Sequence, residues 1–134
     1  FCVSQFPDIV TYGGLLSQEI ISRTLVNYDL MLFPTRYYTE GLPGTIIDAY
    51  IANLPVIATD VGGNREIVAE NITGYLVMPK IPDQLAEAMS NVIADRLKRE
   101  AMGKAARKFC ADRFNADNWA VYTEQKFEKS IKQH

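Results

Sequence analysis

Two acidic residues stand on either side of a glycine-containing turn near the middle of the chain. Glu40 is followed, after seven intervening residues, by Asp48, and the stretch between them contains Gly41 and Gly44. A carboxylate accepts hydrogen bonds from hydroxyl groups, glycines let a ligand approach the backbone, and amides at a helix start attract anions. The pattern favours a site for a polar, anionic ligand. A solvated loop acid at Glu40 and a helix-capping acid at Asp48 are the simpler alternatives.

The surrounding residues predict a unit that would position both carboxylates at one edge of a sheet. Leu30–Phe33 and Val56–Ala58 are short apolar runs bounded by Pro, Asp and Gly, which is typical of buried strands. Thr45 to Asn53 is helical in character and apolar on most sides, with Asp48 as its one charge, so the order is strand, loop, helix and strand. In such parallel sheets ligands bind outside the carboxyl ends of the strands, where the loop with Glu40 would lie.

The remaining sequence predicts further elements of the same kind. They are a strand at Val10–Tyr12, a helix from Ser17 to Asn27, a short helix from Asn64 to Ala69, a strand at Tyr75–Met78, and a helical pattern throughout from Asp83 onward. Gly62–Gly63 is interpreted as a tight turn. A plain core position is one interpretation of the Leu15–Leu16 pair.

Composition limits the functional classes. With 134 residues and a net charge of −2, the chain suits one domain and is not expected to bind nucleic acid. The chain contains no run of ~20 apolar residues, the length that a membrane-spanning helix needs. Cys2 and Cys110 are far apart and predict free thiols in a reducing cytosol, and the absence of an Asp-x-Asp pair predicts no metal dependence. Because the chain starts at Phe1, we expect a fragment of a longer protein.

The spacing of Glu40 and Asp48 resembles the Glu–seven residues–Glu motif of retaining nucleotide-sugar glycosyltransferases with the two-Rossmann-domain (GT-B) fold, of the group 1 or family 4 type. Further matches follow in chain order at Val10–Gly14, Asp29–Pro34, Pro55–Val68 and Gly74–Val77. The resemblance covers nearly the whole chain. It implies an α/β fold, a Rossmann-like parallel sheet flanked by helices, as the C-terminal half of a GT-B fold truncated at its N-terminal edge. Residues 1–134 would form a partial donor-nucleotide-binding domain, with 115–134 as a C-terminal crossover helix.

The resemblance also implies roles for both carboxylates. The first acid of the family motif contacts the donor sugar, which implies that role for Glu40, and the second binds the two ribose hydroxyls, which implies that role for Asp48. The family has Glu at the second position. Since Asp is one methylene shorter, the ribose would sit closer or a water would bridge.

Backbone contacts are implied for the turn between the two acids. Gly41, Leu42, Gly44 and Thr45 correspond to residues that meet the sugar and phosphate of the donor. Pro43 departs from the family's usual Glu-Gly-Phe-Gly sequence and removes one amide donor. Gly14 and Leu16 correspond to the place where the nucleobase packs, and a plain core role for Leu16 is equally consistent.

The implied function is the donor half of a retaining hexosyltransferase, with a nucleoside-diphosphate sugar as substrate and no cofactor. The acceptor, a glycan or a lipid-linked glycan in polysaccharide biosynthesis, would bind an N-terminal domain outside this chain. The family's phosphate-binding Arg and Lys also lie outside it, so we expect the isolated chain to be inactive. The implied location is cytoplasmic, with peripheral membrane association of the full-length protein left open. The alternatives are a GT-B sugar-nucleotide epimerase and a non-catalytic nucleotide-binding or interaction module.

Overall fold

A computed structural model describes residues 2–39 and 41–115 of the chain. Its elements, in chain order, are α1 Cys2–Gln5, α2 Gln18–Leu25, β1 Met31–Phe33, α3 Gly44–Ile51, β2 Val56–Thr59, α4 Asn64–Ile67, β3 Gly74–Val77, α5 Pro82–Ala94 and α6 Arg96–Phe114. The predicted strand–helix–strand unit is confirmed, because the bounds of β1, α3 and β2 differ from the prediction by at most two residues.

The three strands form one parallel sheet in the order β1-β2-β3. Val56, the first residue of β2, is in register with Met31 of β1 and with Gly74 of β3. All four residues of β2 are buried, since the strand is central and helices cover both of its faces. This double covering is the reason why β2 reads as a continuous apolar run ending in Thr59. The parallel α/β sheet predicted from sequence is therefore confirmed.

Alternate residues of β2 serve two separate cores. Val56 and Ala58 face the larger core, which is closed by α2, α3, α4 and α6, and Ile57 faces a smaller core closed by α5. The fully or largely buried members of the larger core are Leu25, Ile46, Ala49, Tyr50, Ala52, Leu54, Val56, Ala58, Ile67, Val68, Ala106 and Cys110.

Helix α3 is the element that joins this core to the carboxyl edge of the sheet. Ile46, Ala49 and Tyr50 are each 0% exposed and follow the i, i+3, i+4 spacing of one helix face. The helix ends shortly before Asn53, which has a left-handed φ of 60°. This conformation agrees with the prediction that Asn53 stops the helix. Because α3 returns the chain from the end of β1 to the start of β2, its N-terminus lies at the carboxyl edge.

The predicted strand at Val10–Tyr12 is wrong. Residues 10–17 have no regular secondary structure, and Tyr12 is 73% exposed. A strand needs a neighbour for its backbone amides and carbonyls. Within residues 2–39 and 41–115, no strand pairs with this segment, so β-forming side chains alone do not produce one there.

The helical pattern predicted from Asp83 onward is confirmed as far as Phe114, and it forms two helices. The chain leaves the helix at Asp95, which has an extended backbone (φ −116°, ψ 96°) and separates α5 from α6. The Asp95 carboxylate accepts a hydrogen bond from the Lys98 amide at 2.9 Å and so caps α6. The predicted crossover helix at 115–134 lies outside the described residues except for Asn115, which ends α6.

Candidate functional site

Residues 34–43 connect the carboxyl end of β1 to the start of α3 and include the predicted site residues Glu40, Gly41 and Leu42. Gly41 and Leu42 are exposed, and Pro43, which precedes the helix, is buried. Glu40, the predicted contact to the donor sugar, lies outside the described residues. The structure therefore places the segments on both sides of Glu40 at the carboxyl edge, and its side-chain role stays a prediction.

Gly41 and Gly44 occupy positions that do not require glycine for packing or for backbone conformation. A Cβ atom added at either residue would meet nothing within 4 Å among the described residues. Neither residue has a left-handed φ; the glycines that do are Gly14 and Gly62. At Gly44, the first residue of α3, alanine would be the better helix former. The two glycines therefore leave open space above the start of α3.

The N-terminus of α3 offers backbone donors to that space. Pro43 stands at the N-cap position with an extended backbone, and no side chain in the described part of the chain caps the helix. Ile46 N bonds to Pro43 O at 3.0 Å, whereas Gly44 and Thr45 belong to the first turn, whose amides have no intrahelical acceptor. These amides and the positive end of the helix dipole suit a phosphate oxygen.

Asp48 lies on the face of α3 that also carries Gly44 and Thr45, opposite the buried face. It follows Gly44 by four residues and Thr45 by three, which places the three on one side of the helix. Its side chain is half-buried, and its carboxylate has no hydrogen bond or ion pair with any other described residue. A half-buried charge without a protein partner is stabilised by water or by a ligand.

The charge of Asp48 affects the pKa of the Cys110 thiol on α6. Burial raises the pKa of the Cys110 thiol, Arg107 opposes that rise, and Asp48 adds to it. Cys110 is a buried free thiol, in agreement with the predicted absence of a disulfide at this residue. Asp48 is thus within electrostatic reach of α6 as well as near the start of α3.

Gly14 and Leu16 precede α2, which packs against α3. Gly14 has a left-handed φ of 81°, so glycine is favoured there by conformation. Leu15 is 95% exposed and Leu16 is 38% exposed, so the alternative core role for this pair is wrong. Since α2 leads directly into β1, its N-terminus lies at the same edge of the sheet as Gly44. Contact of Gly14 and Leu16 with a nucleobase stays a prediction.

Two polar residues at this edge were missed in the sequence. Thr59 closes β2, and its hydroxyl donates to the carbonyl of Thr35 in the loop after β1. Asn64 is 0% exposed and its side-chain amide donates to Thr59 O at 2.8 Å, while its Oδ1 has no partner among the described residues. The available signal was a threonine ending an otherwise apolar buried strand.

The turn after β2 is closed by an ion pair. Gly62 has a left-handed φ of 52°, which confirms the predicted tight turn. Arg65 Nε donates to Asp60 Oδ1 at 2.8 Å, and Arg65 Nη2 pairs with the second carboxylate oxygen. The hydrogen bond from Arg65 lowers the pKa of Asp60. Arg65 remains largely exposed, so this contact stabilises the turn locally.

A depression of about 240 Å³ lies on the other side of the same edge, at the start of α5. Arg36 and Lys80 are on its wall, which is otherwise mainly apolar. Asp48, in contrast, lies on α3, which packs on the opposite side of the sheet from α5. The depression is therefore separate from the candidate site around Gly44 and Asp48.

Residues 2–39 and 41–115 contain neither a candidate metal site nor a candidate membrane span. No three His, Cys, Asp or Glu side chains in this part of the chain group closely enough to hold a metal ion. No helix there is both long enough and apolar enough to cross a bilayer. Independence from metals stays a prediction.

A model of the family described as glycosyl transferases group 1 matches residues 6–109. The chain belongs to the group 1 glycosyl transferases. The matched range includes Glu40, Asp48 and every other predicted site residue, so the family resemblance found in the motifs is confirmed.

Two curated proteins resemble most of the chain. Alpha-maltose-1-phosphate synthase of Mycobacterium tuberculosis H37Rv is 35% identical over 124 residues, covering 88% of this chain and 29% of that protein. A GDP-mannose-dependent alpha-(1-6)-phosphatidylinositol monomannoside mannosyltransferase of the same organism is 32% identical over 120 residues, covering 85% and 31%. The chain therefore spans less than a third of the length of these two relatives.

Solved structures show the same fold. Sucrose-phosphate synthase from Thermosynechococcus elongatus superposes with a TM-score of 0.83 and 27% identity, covering 99% of this chain and 33% of that one. HepE from Anabaena, solved in complex with UDP-glucose, superposes with a TM-score of 0.78 and 21% identity, covering 98% and 35%. The group 1 chain thus has the Rossmann-like domain architecture of GT-B glycosyltransferases.

Proposed function

We propose that this chain binds the nucleoside-diphosphate sugar of a retaining hexosyltransferase at the carboxyl edge of β1 and β2. The observation that carries the proposal is the open space that the described residues leave at Gly41 and Gly44. It lies beside the start of α3, which no described side chain caps, and beside the Asp48 carboxylate, which has no hydrogen-bond or ion-pair partner among the described residues. Neither packing nor backbone conformation explains glycine at these two positions. A ligand that approaches the backbone closely would explain it.

The chemistry of the edge suits the parts of such a donor. The Gly44 and Thr45 amides would donate to the diphosphate, and the Asp48 carboxylate would accept from the two ribose hydroxyls. Glu40 would accept from hydroxyls of the donor sugar, with Gly41 and Leu42 beside it.

The nucleobase would lie at the start of α2. Gly14 and Leu16 are exposed at the carboxyl edge, and Leu16 offers an apolar surface to a flat ring. The solved relative HepE holds UDP-glucose, which supports a nucleotide-sugar donor for the family fold.

The proposed reaction is sugar transfer with retention at the anomeric carbon. The bond between that carbon and the leaving phosphate oxygen breaks, the bond to the acceptor oxygen forms on the same face, and the leaving phosphate takes the acceptor proton. Amides at the helix start stabilise the negative charge that develops on the phosphate. The acceptor would be a glycan or a lipid-linked glycan at the cytoplasmic side of a membrane, bound by residues beyond this chain. We therefore expect the 134-residue chain to bind donor without transferring sugar.

Calorimetric titration with UDP, UDP-glucose, GDP and GDP-mannose tests this proposal. Asp48→Asn should weaken binding of the preferred nucleotide about ten- to a hundredfold, because a charge-assisted hydrogen bond is lost. Asp83→Asn is the matched control, since Asp83 is an acid near the start of another helix, α5, on the opposite side of the sheet. Equal binding by wild type and Asp48→Asn would contradict the proposed ribose contact.

Glu40→Gln separates the sugar contact from the nucleotide contact. We expect it to reduce affinity for the nucleotide sugar while affinity for the nucleoside diphosphate and the melting temperature are unchanged, since a loop carboxylate contributes little packing. In a protein that contains the acceptor-binding part, the same change should strongly reduce transfer. A melting-temperature loss at Asp48→Asn with unchanged binding would instead identify Asp48 as a helix-capping acid.

A further inference from the structure

We infer that Thr59 is a positioning residue for the loop that carries Glu40, acting through its hydroxyl group; this inference rests on the proposed role of Glu40. Thr59 is the last residue of β2 and is 5% exposed. Its hydroxyl donates to the carbonyl of Thr35, and the carbonyl of Phe33 lies at 3.5 Å. Both acceptors belong to the end of β1 and the first residues of the following loop.

The hydroxyl continues the pairing of two strands beyond the end of the sheet. The last register pair between β1 and β2 is Phe33 with Ala58, and Thr35 follows Phe33 by two residues. The bond from Thr59 to Thr35 therefore joins the start of the loop to β2 beyond that pair. Thr35 extends the restraint to Tyr37 in the same loop, because the Thr35 hydroxyl accepts a hydrogen bond from the Tyr37 amide at 3.2 Å. Tyr37 stands three residues before Glu40.

Thr59 is itself held by the rigid part of the fold. The side-chain amide of Asn64, at the start of α4, donates to Thr59 O at 2.8 Å and is fully buried. The next residue, Asp60, donates its amide to Val77 O of β3 at 2.8 Å. A side chain fixed in this way can restrain a loop, since sites are positioned best by residues whose own geometry is locked.

Thr73 provides a matched control in the same protein. It is 0% exposed, and its hydroxyl accepts from the Ala69 amide at 2.9 Å and lies 2.8 Å from the Tyr50 hydroxyl. Thr73 precedes β3, so it lies at the amino edge of the sheet, away from the loop with Glu40. Replacing either threonine by valine removes a buried hydroxyl while side-chain volume is nearly kept.

The experiment compares Thr59→Val, Thr59→Ser and Thr73→Val by two measurements. The first is amide hydrogen exchange of residues 36–42, and the second is the affinity ratio of UDP-glucose to UDP and of GDP-mannose to GDP. We expect Thr59→Val to accelerate exchange in the loop and lower the affinity ratio of the preferred pair by about five- to tenfold, the value of one hydrogen bond. Thr59→Ser should restore both, and Thr73→Val should lower the melting temperature without changing either.

Unchanged loop exchange in Thr59→Val, or the same acceleration in Thr73→Val, would overturn the inference. Faster exchange with an unchanged affinity ratio would also overturn it, because the loop would then be restrained without positioning a sugar contact. If no nucleotide binds wild type, the proposed function fails, while the exchange measurement still shows whether Thr59 holds the loop. If Thr59→Val does not fold, Thr59→Ala removes the same hydroxyl without a second methyl group and is held to the same outcomes.

Discussion

At the amino edge of the sheet, the buried hydroxyl of Tyr50 lies 2.8 Å from Thr73 Oγ1 and donates to Ile67 O at 3.1 Å. At the carboxyl edge, the equally buried Asn64 leaves its Oδ1 without a partner among the described residues. Buried polar groups in a purely structural region are satisfied, because an unpaired one costs free energy. The two edges therefore differ in how their buried polar groups pair: the Tyr50 hydroxyl is hydrogen-bonded at the amino edge, and the Asn64 Oδ1 is not bonded to any described residue at the carboxyl edge.

The glycines differ between the edges in the same sense. At the amino edge, a Cβ on Gly74 would lie 1.8 Å from Val56 O, and a Cβ on Gly103 would lie 2.0 Å from Asn53 O. At the carboxyl edge, a Cβ on Gly41 or Gly44 would meet no described atom within 4 Å. Glycine thus permits close backbone packing at one edge and leaves room at the other, where the proposed function places the ligand.

The largest effect is expected at Gly103, where α6 crosses the end of α3. Gly103→Ala should lower the free energy of unfolding by roughly 3 kcal/mol or more, because the clash is with a backbone carbonyl that cannot move alone. Denaturant unfolding measures this change, with Gly41→Ala as the control. A loss of stability at Gly41→Ala as large as that at Gly103→Ala would remove the difference between the edges.

Tyr50 allows a test of the amino edge by pH. Burial raises the pKa of Tyr50 to about 12, and the hydrogen bond with Thr73 partly opposes the rise. Because the folded pKa is higher than the unfolded value of about 10, the stability contribution is complete below pH 10 and is lost as the pH rises from about 10 to 12, by about 2–3 kcal/mol. Urea unfolding across this range should show the loss in wild type.

Tyr50→Phe is the control for that titration. It should cost about 1–3 kcal/mol at neutral pH, since Thr73 and Ile67 each lose a partner. It should also remove the part of the alkaline loss that belongs to Tyr50. An identical alkaline slope in both proteins would show that other tyrosines cause it.

Gly44→Ala tests the carboxyl edge. The expected change in stability has the opposite sign to that expected for Gly103→Ala at the amino edge. The melting temperature should stay constant or rise slightly, because alanine favours the helix and meets no neighbour. Nucleotide binding should weaken several-fold, on the order of 1 kcal/mol, as the methyl group enters the ligand's space. Calorimetry on the same sample measures both quantities. Unchanged binding would show that the open space serves no ligand.

The smallest effect is expected at the ion pair between Asp60 and Arg65. The hydrogen bond from Arg65 lowers the folded pKa of Asp60, so its contribution is present above the unfolded pKa near 4 and is lost as the pH falls through the folded value. Asp60→Asn should therefore produce a small loss of thermal stability at pH 7 and a smaller one at pH 3. Thermal scans at both pH values measure it, and an equal loss at both would assign the effect to packing.

The central unit could be predicted because its signals are local. The apolar runs of β1 and β2 are short and clearly bounded, and Asn53 takes the left-handed conformation that a stop after a helix requires. The break between α5 and α6 also has a local cause. Asp95 stands three residues before Lys98 and caps α6, a signal that the helical pattern from Asp83 onward did not include. At Val10–Tyr12 the residues favour a strand, but pairing depends on a neighbour that no local pattern supplies.

The sequence by itself determined the fold class, the family, and the spacing that places Gly44, Thr45 and Asp48 on one face of a helix, because these follow from periodicity and from a motif read along the chain. Only the tertiary structure decided which glycines serve packing and which leave space, since Gly74 meets Val56 and Gly103 meets Asn53 across long separations in sequence. It also decided the role of Thr59, whose hydroxyl acceptor at Thr35 lies 24 residues earlier. A hydrogen bond or a clash depends on distance in space, and a parallel sheet brings together residues that the sequence keeps apart.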